Sequence, residues 1–283
     1  MIYYIFLQLF VKTTVLVIAA SCLMGCSTSI KLAVPQTFKE QATMEHVDGA
    51  RGNKMSMANF TTSRIKRGAH VSYPGWGRAY ILENLVLQQI GLGMSGTTEN
   101  EKARFHYELS DGKSTAEIYA HEKAVTKKTE YSVLNNNSFF GSFEKLEQYN
   151  YIFSAMIYGG TKPTSKVWEL MMTNIYDRKA ENDKNIFAYI KAGDNGLATN
   201  GSDTIYIKPL SIKKTEMANG KTGTLPFKLL SGYELSTSGG VIAIVDLIDR
   251  NVWFYNELDA EEKFNVSAIA TAILARRVHN EQW

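Results

Sequence analysis

The stretch Arg104-Phe105-His106-Tyr107-Glu108-Leu109-Ser110-Asp111-Gly112 decides the fold class of this chain. Polar and apolar residues alternate up to Leu109, as they do in a strand that buries one face. Asp-Gly then supplies the residue pair that a two-residue type I′ turn favours. Such a turn places these pairs opposite each other: Phe105 and Ile118, Tyr107 and Ala116, His106 and Glu117. Because the apolar partners fall on one face, pattern and turn together predict an antiparallel hairpin.

Four further segments have the composition of strands: 146–158, 204–207, 241–245 and 252–255. In the first, one face carries Tyr149, Tyr151, Phe153, Ala155 and Ile157. The run 241–245 is apolar throughout, which is typical of a strand covered on both faces. Pro209 is expected to end the strand at 204–207. Segments 79–90 and 165–176 fit a helix as well as a strand.

The pattern changes to a helical period at the C-terminus. Asp259 and Glu262 have the spacing of a capping box, and Arg276 and Arg277 are placed to interact with the carbonyl end of the helix dipole. One helical face carries Phe264, Val266, Ile269, Ala270, Ile273 and Leu274. We therefore predict a predominantly β, α+β fold, in which a C-terminal amphipathic helix packs on an antiparallel sheet.

Residues 1–25 contain a single charge, Lys12, and end in small residues after an apolar run. This pattern is typical of a secretory signal peptide. Its ending, Leu23-Met24-Gly25-Cys26, resembles the lipobox of bacterial lipoproteins, with Met24 where Ala or Ser is commoner. The resemblance implies cleavage before Cys26, a diacylglycerol on its thiol and a fatty acid such as palmitate on its amine. Ser27, which follows, is typical of lipoproteins sorted to the outer membrane.

Three alternatives to a lipobox remain open for this segment. Residues 1–25 approach the length of a membrane-spanning helix. Ala19-Ala20-Ser21-Cys22 offers a second cleavage site, and ordinary secretion would release a soluble protein. The charge also lies far from Met1, so translation could begin at Val11 instead.

The sequence accordingly divides into a signal peptide at 1–25, an acylated cysteine with a flexible tether at 26–53, and one globular domain at 54–283. Both cysteines of the chain, Cys22 and Cys26, lie in the targeting part. The folded domain therefore contains no disulfide, thiolate metal site or cysteine nucleophile.

Several short motifs in the domain invite a catalytic interpretation. Lys221-Thr222-Gly223 matches the KTG triplet of penicillin-binding proteins, and Ser63 to Lys66 and Ser110 to Lys113 match SxxK. That chemistry needs the serine at the start of a helix, with the lysine one turn later. Ser110 instead precedes the predicted turn and Ser63 lies in a predicted strand, so these matches do not favour a serine hydrolase.

Candidate ligand sites are equally incomplete. The residues 194–203 form an oxygen-rich loop, but it lacks the register and the closing glutamate of a calcium-binding EF-hand. The histidines are scattered without metal-site spacing: His46, His70, His106, His121 and His279. The aromatic loop 73–77 suits either stacking on a sugar or partner, or packing into the core.

We therefore expect an envelope lipoprotein, held by acylated Cys26 in the bilayer and facing the periplasm, with the outer membrane as its favoured location. Its domain is expected to bind or scaffold an envelope protein without catalysis, cofactor or metal. A net charge of +3 gives no indication of nucleic-acid binding. A periplasmic hydrolase acting on peptidoglycan or peptides is the alternative.

Overall fold

One antiparallel sheet contains almost all the secondary structure that a computed structural model of this chain describes. The described residues are 31–32, 34–68, 98–131, 143–161, 166–179, 181–182, 184, 193–216 and 222–277. They belong to two compact units. The smaller comprises 1–31 and 213–227, and its described part includes one end of a long strand pair. The larger comprises 32–212 and 228–283.

Thirteen strands and two helices lie in the described residues. The strands are β1 (Ala42–His46), β2 (Ser56–Met57), β3 (Phe60–Thr62), β4 (Lys66–Arg67), β5 (Thr98–Ser110), β6 (Thr115–Tyr131), β7 (Phe143–Gly160), β8 (Trp168–Asp177), β9 (Asn195–Thr199), β10 (Thr204–Glu216), β11 (Thr222–Thr237), β12 (Gly240–Asp246) and β13 (Asn251–Tyr255). The helices are α1 (Gln36–Lys39) and α2 (Ala260–Leu274). No described helix is both long and apolar enough to cross a membrane.

The strands from β5 to β13 follow one another as an antiparallel meander. The N-terminal strands extend both edges: β1 lies beside β13 at one edge, whereas at the other β3 and β4 pair with β5, and β2 pairs with β3. Beyond β1 the chain pairs with the other edge, since Asp48 and Ser56 exchange two backbone hydrogen bonds of 2.9 and 3.1 Å. This bridge joins the two edges, so the sheet is almost closed on itself.

The hairpin of β5 and β6 exists, but its register differs from the prediction by two residues. Phe105 lies opposite Ala120, and His106 lies opposite Tyr119. The loop has four residues, 111–114, because the Asp111 carboxylate accepts hydrogen bonds from the backbone of Lys113 and Ser114 (2.9 and 2.6 Å). A shift of two residues leaves every side chain on its predicted face.

Most of the remaining strand predictions are confirmed. The face of β7 that carries Tyr149, Tyr151, Phe153, Ala155 and Ile157 is buried. β12 is covered on both faces, and β13 is its hairpin partner. Segment 165–176, which fitted either template, contains strand β8. The prediction for Pro209 is wrong, because β10 continues to Glu216. Pro209 is tolerated there since the pairing of β10 with β9 ends two residues earlier, at Ile207.

The C-terminal helix α2 is the main occupant of the interior. Its predicted capping box is present, with Asp259 and Glu262 each bonded to the backbone of the other. It contacts β6 and β7, and every residue from Val266 to Arg276 is buried. The predicted fold class, an antiparallel sheet with the C-terminal helix packed on it, is confirmed. Burial extends farther around the helix than its apolar face, because most of its length is enclosed. The nearly closed sheet surrounds it, so the side opposite the predicted face is covered too.

Described residues on the N-terminal side of the predicted domain boundary at residue 54 also contact the sheet. β1 is part of the sheet, and residues 32 and 34–38 lie across the outer face of the sheet. We call this segment the strap. Leu32 and Val34 form a small apolar cluster with Ile244 of β12, against which Phe38, Leu210 and Trp253 pack. Residues 32 and 34 and strand β1 therefore contribute contacts to the sheet.

Candidate functional site

A buried ion pair at the end of α2 is the most unusual feature inside the sheet. The Arg276 guanidinium and the Asp194 carboxylate lie 2.9 Å apart, and both side chains are fully buried. Arg276 follows the last turn of α2, and Asp194 immediately precedes β9. The pair therefore connects the helix to the wall of the sheet.

Three neighbours complete the hydrogen bonding of this pair. The Tyr233 hydroxyl donates to Asp194 Oδ2 (2.7 Å) and accepts from Arg276 Nη2 (2.8 Å). Asn174 donates to Asp194 Oδ1 (3.1 Å). Arg276 Nε donates to the carbonyl of Ile273 (3.1 Å), which fulfils the predicted interaction with the carbonyl end of the helix. A buried charge pair is tolerable only when its lone pairs and protons are satisfied in this way.

Burial determines the protonation states here. Burial raises the pKa of Tyr233 and of Tyr151 well above the ordinary value, so both phenols stay protonated and can donate. Burial by itself acts to lower the pKa of the Arg276 guanidinium, but its polar neighbours outweigh this effect and raise it. The guanidinium also lies 5.4 Å from the ring centre of Phe153 and 5.0 Å from that of Tyr233. These ring faces add cation–π attraction.

A second set of polar contacts holds the same end of the helix. Buried Glu122, on β6, accepts from the Tyr151 hydroxyl (3.0 Å) and from the backbone nitrogen of Arg277 (2.8 Å). One turn earlier, the Tyr107 hydroxyl donates to Thr271 (2.9 Å). We call these groups together the interior polar cluster: Tyr107, Glu122, Tyr151, Asn174, Asp194, Tyr233, Thr271 and Arg276. Because they bind one another or the end of the helix, they fix the helix within the sheet, and we assign the cluster a structural role.

An open groove of about 570 Å³ lies at the opposite end of α2. Its walls come from the strap and α1, the β11–β12 turn, the end of β13 and the first turn of α2. They include Phe38, Val241, Leu258, Tyr255, Glu257 and Glu262. Both carboxylates already have partners: Glu257 accepts from the Tyr255 hydroxyl (3.0 Å), and Glu262 belongs to the capping box. The groove could therefore bind a partner by its shape and by hydrogen bonds. Its two carboxylates do not form an acid–base pair that is free to react.

The serine–lysine motifs are used for local structure. Ser63 lies between β3 and β4, not within a strand as predicted, and its Oγ accepts from the backbone nitrogen of Glu108 (2.9 Å). Ser110 Oγ donates to the carbonyl of Ser114 (3.0 Å) in the β5–β6 turn. Neither serine begins a helix, which is the arrangement that the SxxK chemistry requires.

The oxygen-rich loop is divided between two places. Asp194 belongs to the interior polar cluster, whereas Asn200 and Asp203 form the tight β9–β10 turn, with Asn200 Nδ2 donating to Asp203 (2.9 Å). His46 contacts Asn251 and Asp48 at the sheet surface. His106 stacks on Tyr119, with ring centres 4.2 Å apart. Within the described ranges, no group of three or more His, Cys, Asp or Glu residues is placed to hold a metal ion.

Several predicted features lie outside the described residues. These are the segment 1–30 with Cys22 and Cys26, His70, the aromatic loop 73–77, the segment 79–90, Lys221 and His279. The structure therefore adds nothing about the signal peptide, the lipobox or that loop.

Asp246 is a buried carboxyl outside the cluster, and it gives a pH-dependent prediction. Burial raises its pKa, although its Oδ1 accepts from the backbone nitrogens of Ile248 (2.8 Å) and Asp249 (3.2 Å). Because the pKa of Asp246 is higher in the folded state than in the unfolded state, the free energy of unfolding falls as the pH rises from the unfolded-state pKa through the folded-state pKa. We expect Asp246→Asn, which keeps the acceptor, to be at least as stable as the wild type at neutral pH. This advantage should vanish in acid, because the Asp246 carboxyl of the wild type is then protonated in both the folded and the unfolded state.

Urea unfolding at neutral and acidic pH measures this effect. Asp246→Ala is the matched control, because it removes both the charge and the acceptor and should cost about 1–2 kcal/mol. Equal losses for the Asn and Ala variants at neutral pH would contradict the prediction.

The interior polar cluster was missed by the sequence analysis, which considered Arg276 only as a dipole partner and Asp194 only as a loop oxygen. These residues are 82 positions apart, so no local spacing relates them. The one signal that could have been used is a charge directly after an apolar helix.

No family model, curated protein or solved structure matches this chain.

Proposed function

We propose that this protein is a membrane-anchored lipoprotein of the bacterial cell envelope, and that its folded domain binds or scaffolds an envelope component without catalysis. The observation that carries the proposal is the sequence Leu23-Met24-Gly25-Cys26 at the end of an apolar segment. The anchor is acylated Cys26, and Ser27 favours the outer membrane, with the domain in the periplasm.

Two features of the domain support a binding role. The groove at the start of α2 is open, and its carboxylates are already engaged. The buried ionisable residues Asp194, Arg276 and Glu122 bind one another or the helix end. These residues therefore stabilise the fold, and a partner meets a largely preformed surface.

The alternative, a periplasmic hydrolase, would need a nucleophile with a base beside it. Among the described candidates, Ser63 Oγ accepts from the backbone nitrogen of Glu108 on the neighbouring strand β5, and Ser110 Oγ donates to a backbone carbonyl of its own turn. This arrangement favours a structural use of both serines.

Metabolic labelling with tagged palmitate tests the anchor. We expect the full chain, expressed in a Gram-negative host, to incorporate the label and to fractionate with the outer membrane. Cys26→Ala should lose the label completely, since the acylated sulfur and the cleavage site disappear together. Cys22→Ala is the matched control and should remain labelled.

Two results would contradict the proposal. Label that persists in Cys26→Ala, or a chain that is membrane-bound yet unlabelled, would replace the lipid anchor with another attachment. Covalent reaction of the intact protein with an active-site serine probe, abolished by Ser63→Ala, would replace the binding role with hydrolysis.

A further inference from the structure

The strap determines how far the folded domain can lie from its anchor. Leu32 and Val34 pack on the outer face of the sheet against Ile244. Leu32 fits closely over Gly232 of β11, where an added Cβ would lie 3.2 Å from Leu32 Cδ2. Its apolar contacts hold the chain at that point, because undocking would expose the Leu32 and Val34 side chains together with the apolar outer face of β12.

Only residues 27–31 therefore lie between Cys26 and the docked strap. From Cys26 to Leu32 an extended chain reaches about 20 Å at most. A flexible tether up to residue 53 would instead reach about 90 Å and leave the domain free to rotate. The docked strap shortens this reach several-fold.

Resting on the proposed acylation of Cys26, we propose that the outer face of the sheet around the strap, formed by residues 204–212 of β10 and 229–237 of β11 together with β12 and β13, is the membrane-facing surface of this protein and lies against lipid headgroups. We call it the strap face. The short link keeps Leu32, and with it the face on which Leu32 packs, within about 20 Å of the acylated residue.

The composition of the strap face suits a headgroup region. Tyr206 and Lys208, both exposed, alternate with buried residues along β10. Trp253 of β13 is partly buried, with Lys39 Nζ 5.8 Å from its ring centre. Aromatic rings and lysines are common where proteins meet the membrane interface. Glu234 offsets part of the positive charge, so attraction to anionic lipid is weak and the short link sets the orientation.

Energy transfer between the domain and the membrane surface tests this orientation. Acylation consumes the Cys26 thiol, so one introduced cysteine can carry a donor dye without competition. Lys208→Cys lies on the strap face. Lys113→Cys, its matched control, lies in the exposed β5–β6 turn, which is separated from β11 by several strands along either direction around the sheet.

We expect donor emission to be quenched more strongly at residue 208 than at residue 113, in phosphatidylcholine vesicles with acceptor-labelled headgroups. The difference should be at least about twofold, because a compact domain of this size is about 45 Å across. Inserting 12 Gly and Ser residues between Ser29 and Ile30 adds about 20 Å of reach and should remove most of the difference.

Flotation of the vesicles separates the possible failures. A chain that does not float with them overturns the lipid anchor, and the inference with it. If the chain floats and the two positions are quenched equally, the anchor stands and the strap face does not face the membrane. Stronger quenching at residue 113 would place the opposite side of the sheet against the lipid.

Discussion

Asp194→Asn is expected to destabilise the protein by about 3–5 kcal/mol, because it leaves the buried Arg276 guanidinium without a counter-charge. Both side chains of the pair are fully buried, so water cannot replace the lost carboxylate. The amide also has only one acceptor oxygen, so its NH2 group must replace either the oxygen that accepts from Arg276 and Tyr233 or the one that accepts from Asn174. Urea unfolding monitored by tryptophan fluorescence measures the loss.

Asp203→Asn is the matched control. Asp203 lies in the same sequence loop but is exposed, and its carboxylate accepts from Asn200 in a tight turn. We expect this variant to lose less than about 0.5 kcal/mol. The same Asp-to-Asn change is made in both variants, so the difference between their losses measures the effect of burial beside a charge partner.

A second substitution tests the cause of the loss. Adding Arg276→Met to Asp194→Asn removes the unpaired cation and should restore at least about 1 kcal/mol, since the two residues interact directly. If the single variant does not fold, folding of the double variant gives the same information. Equal losses for Asp194→Asn and Asp203→Asn would show that the ion pair contributes nothing to stability.

The sequence predicts the faces of strands better than their registers. Alternation in β5 identifies Phe105, Tyr107 and Leu109 as buried, and they are. It cannot distinguish Ile118 from Ala120 as the partner of Phe105, because both are apolar and both lie on the same face. The Asp111 side chain decides, by bonding two backbone nitrogens and so lengthening the loop.

Contacts between distant parts of the chain leave little trace in the local sequence. β1 is short and polar, and its pairing with β13 joins residues such as His46 and Asn251. The strap resembles a tether because its few apolar residues have no period of their own. Its partners, Ile244 and Leu210, lie about 200 residues farther along. The interior polar cluster has the same character, since Asp194, Tyr233 and Arg276 come from three separate elements.

The enclosure of α2 also leaves little trace in the local sequence, but for a different reason. The apolar face predicted for α2 is buried, but so are Ser267, Ala268, Thr271 and Ala272 on its other side. In the sequence, a helix side made of small or weakly polar residues looks solvent-facing when the opposite side carries leucine and phenylalanine. Inside a nearly closed sheet they have another use, because they let the surrounding strands approach the helix.

Ala268→Glu distinguishes an enclosed helix from one with a solvent-facing side. It should lower the free energy of unfolding by more than about 4 kcal/mol, or prevent folding. Ala268 has no exposed surface and belongs to the apolar core. A carboxylate there must be buried without a partner or take up a proton, and either is unfavourable. A helix packed on an open sheet would instead present residue 268 to water and tolerate the change.

Ala260→Glu is the matched control, with the same substitution at the exposed first residue of the same helix. It should be neutral or stabilise by about 0.3–1 kcal/mol, because a negative charge there interacts favourably with the helix dipole. Ala268→Leu keeps the measurement possible if Ala268→Glu fails to fold. Leucine has a helix propensity close to that of alanine, so the expected loss of about 1–3 kcal/mol comes only from lack of space. An unchanged unfolding free energy in Ala268→Leu would mean that this side of α2 is open, and the sheet would then not enclose its helix.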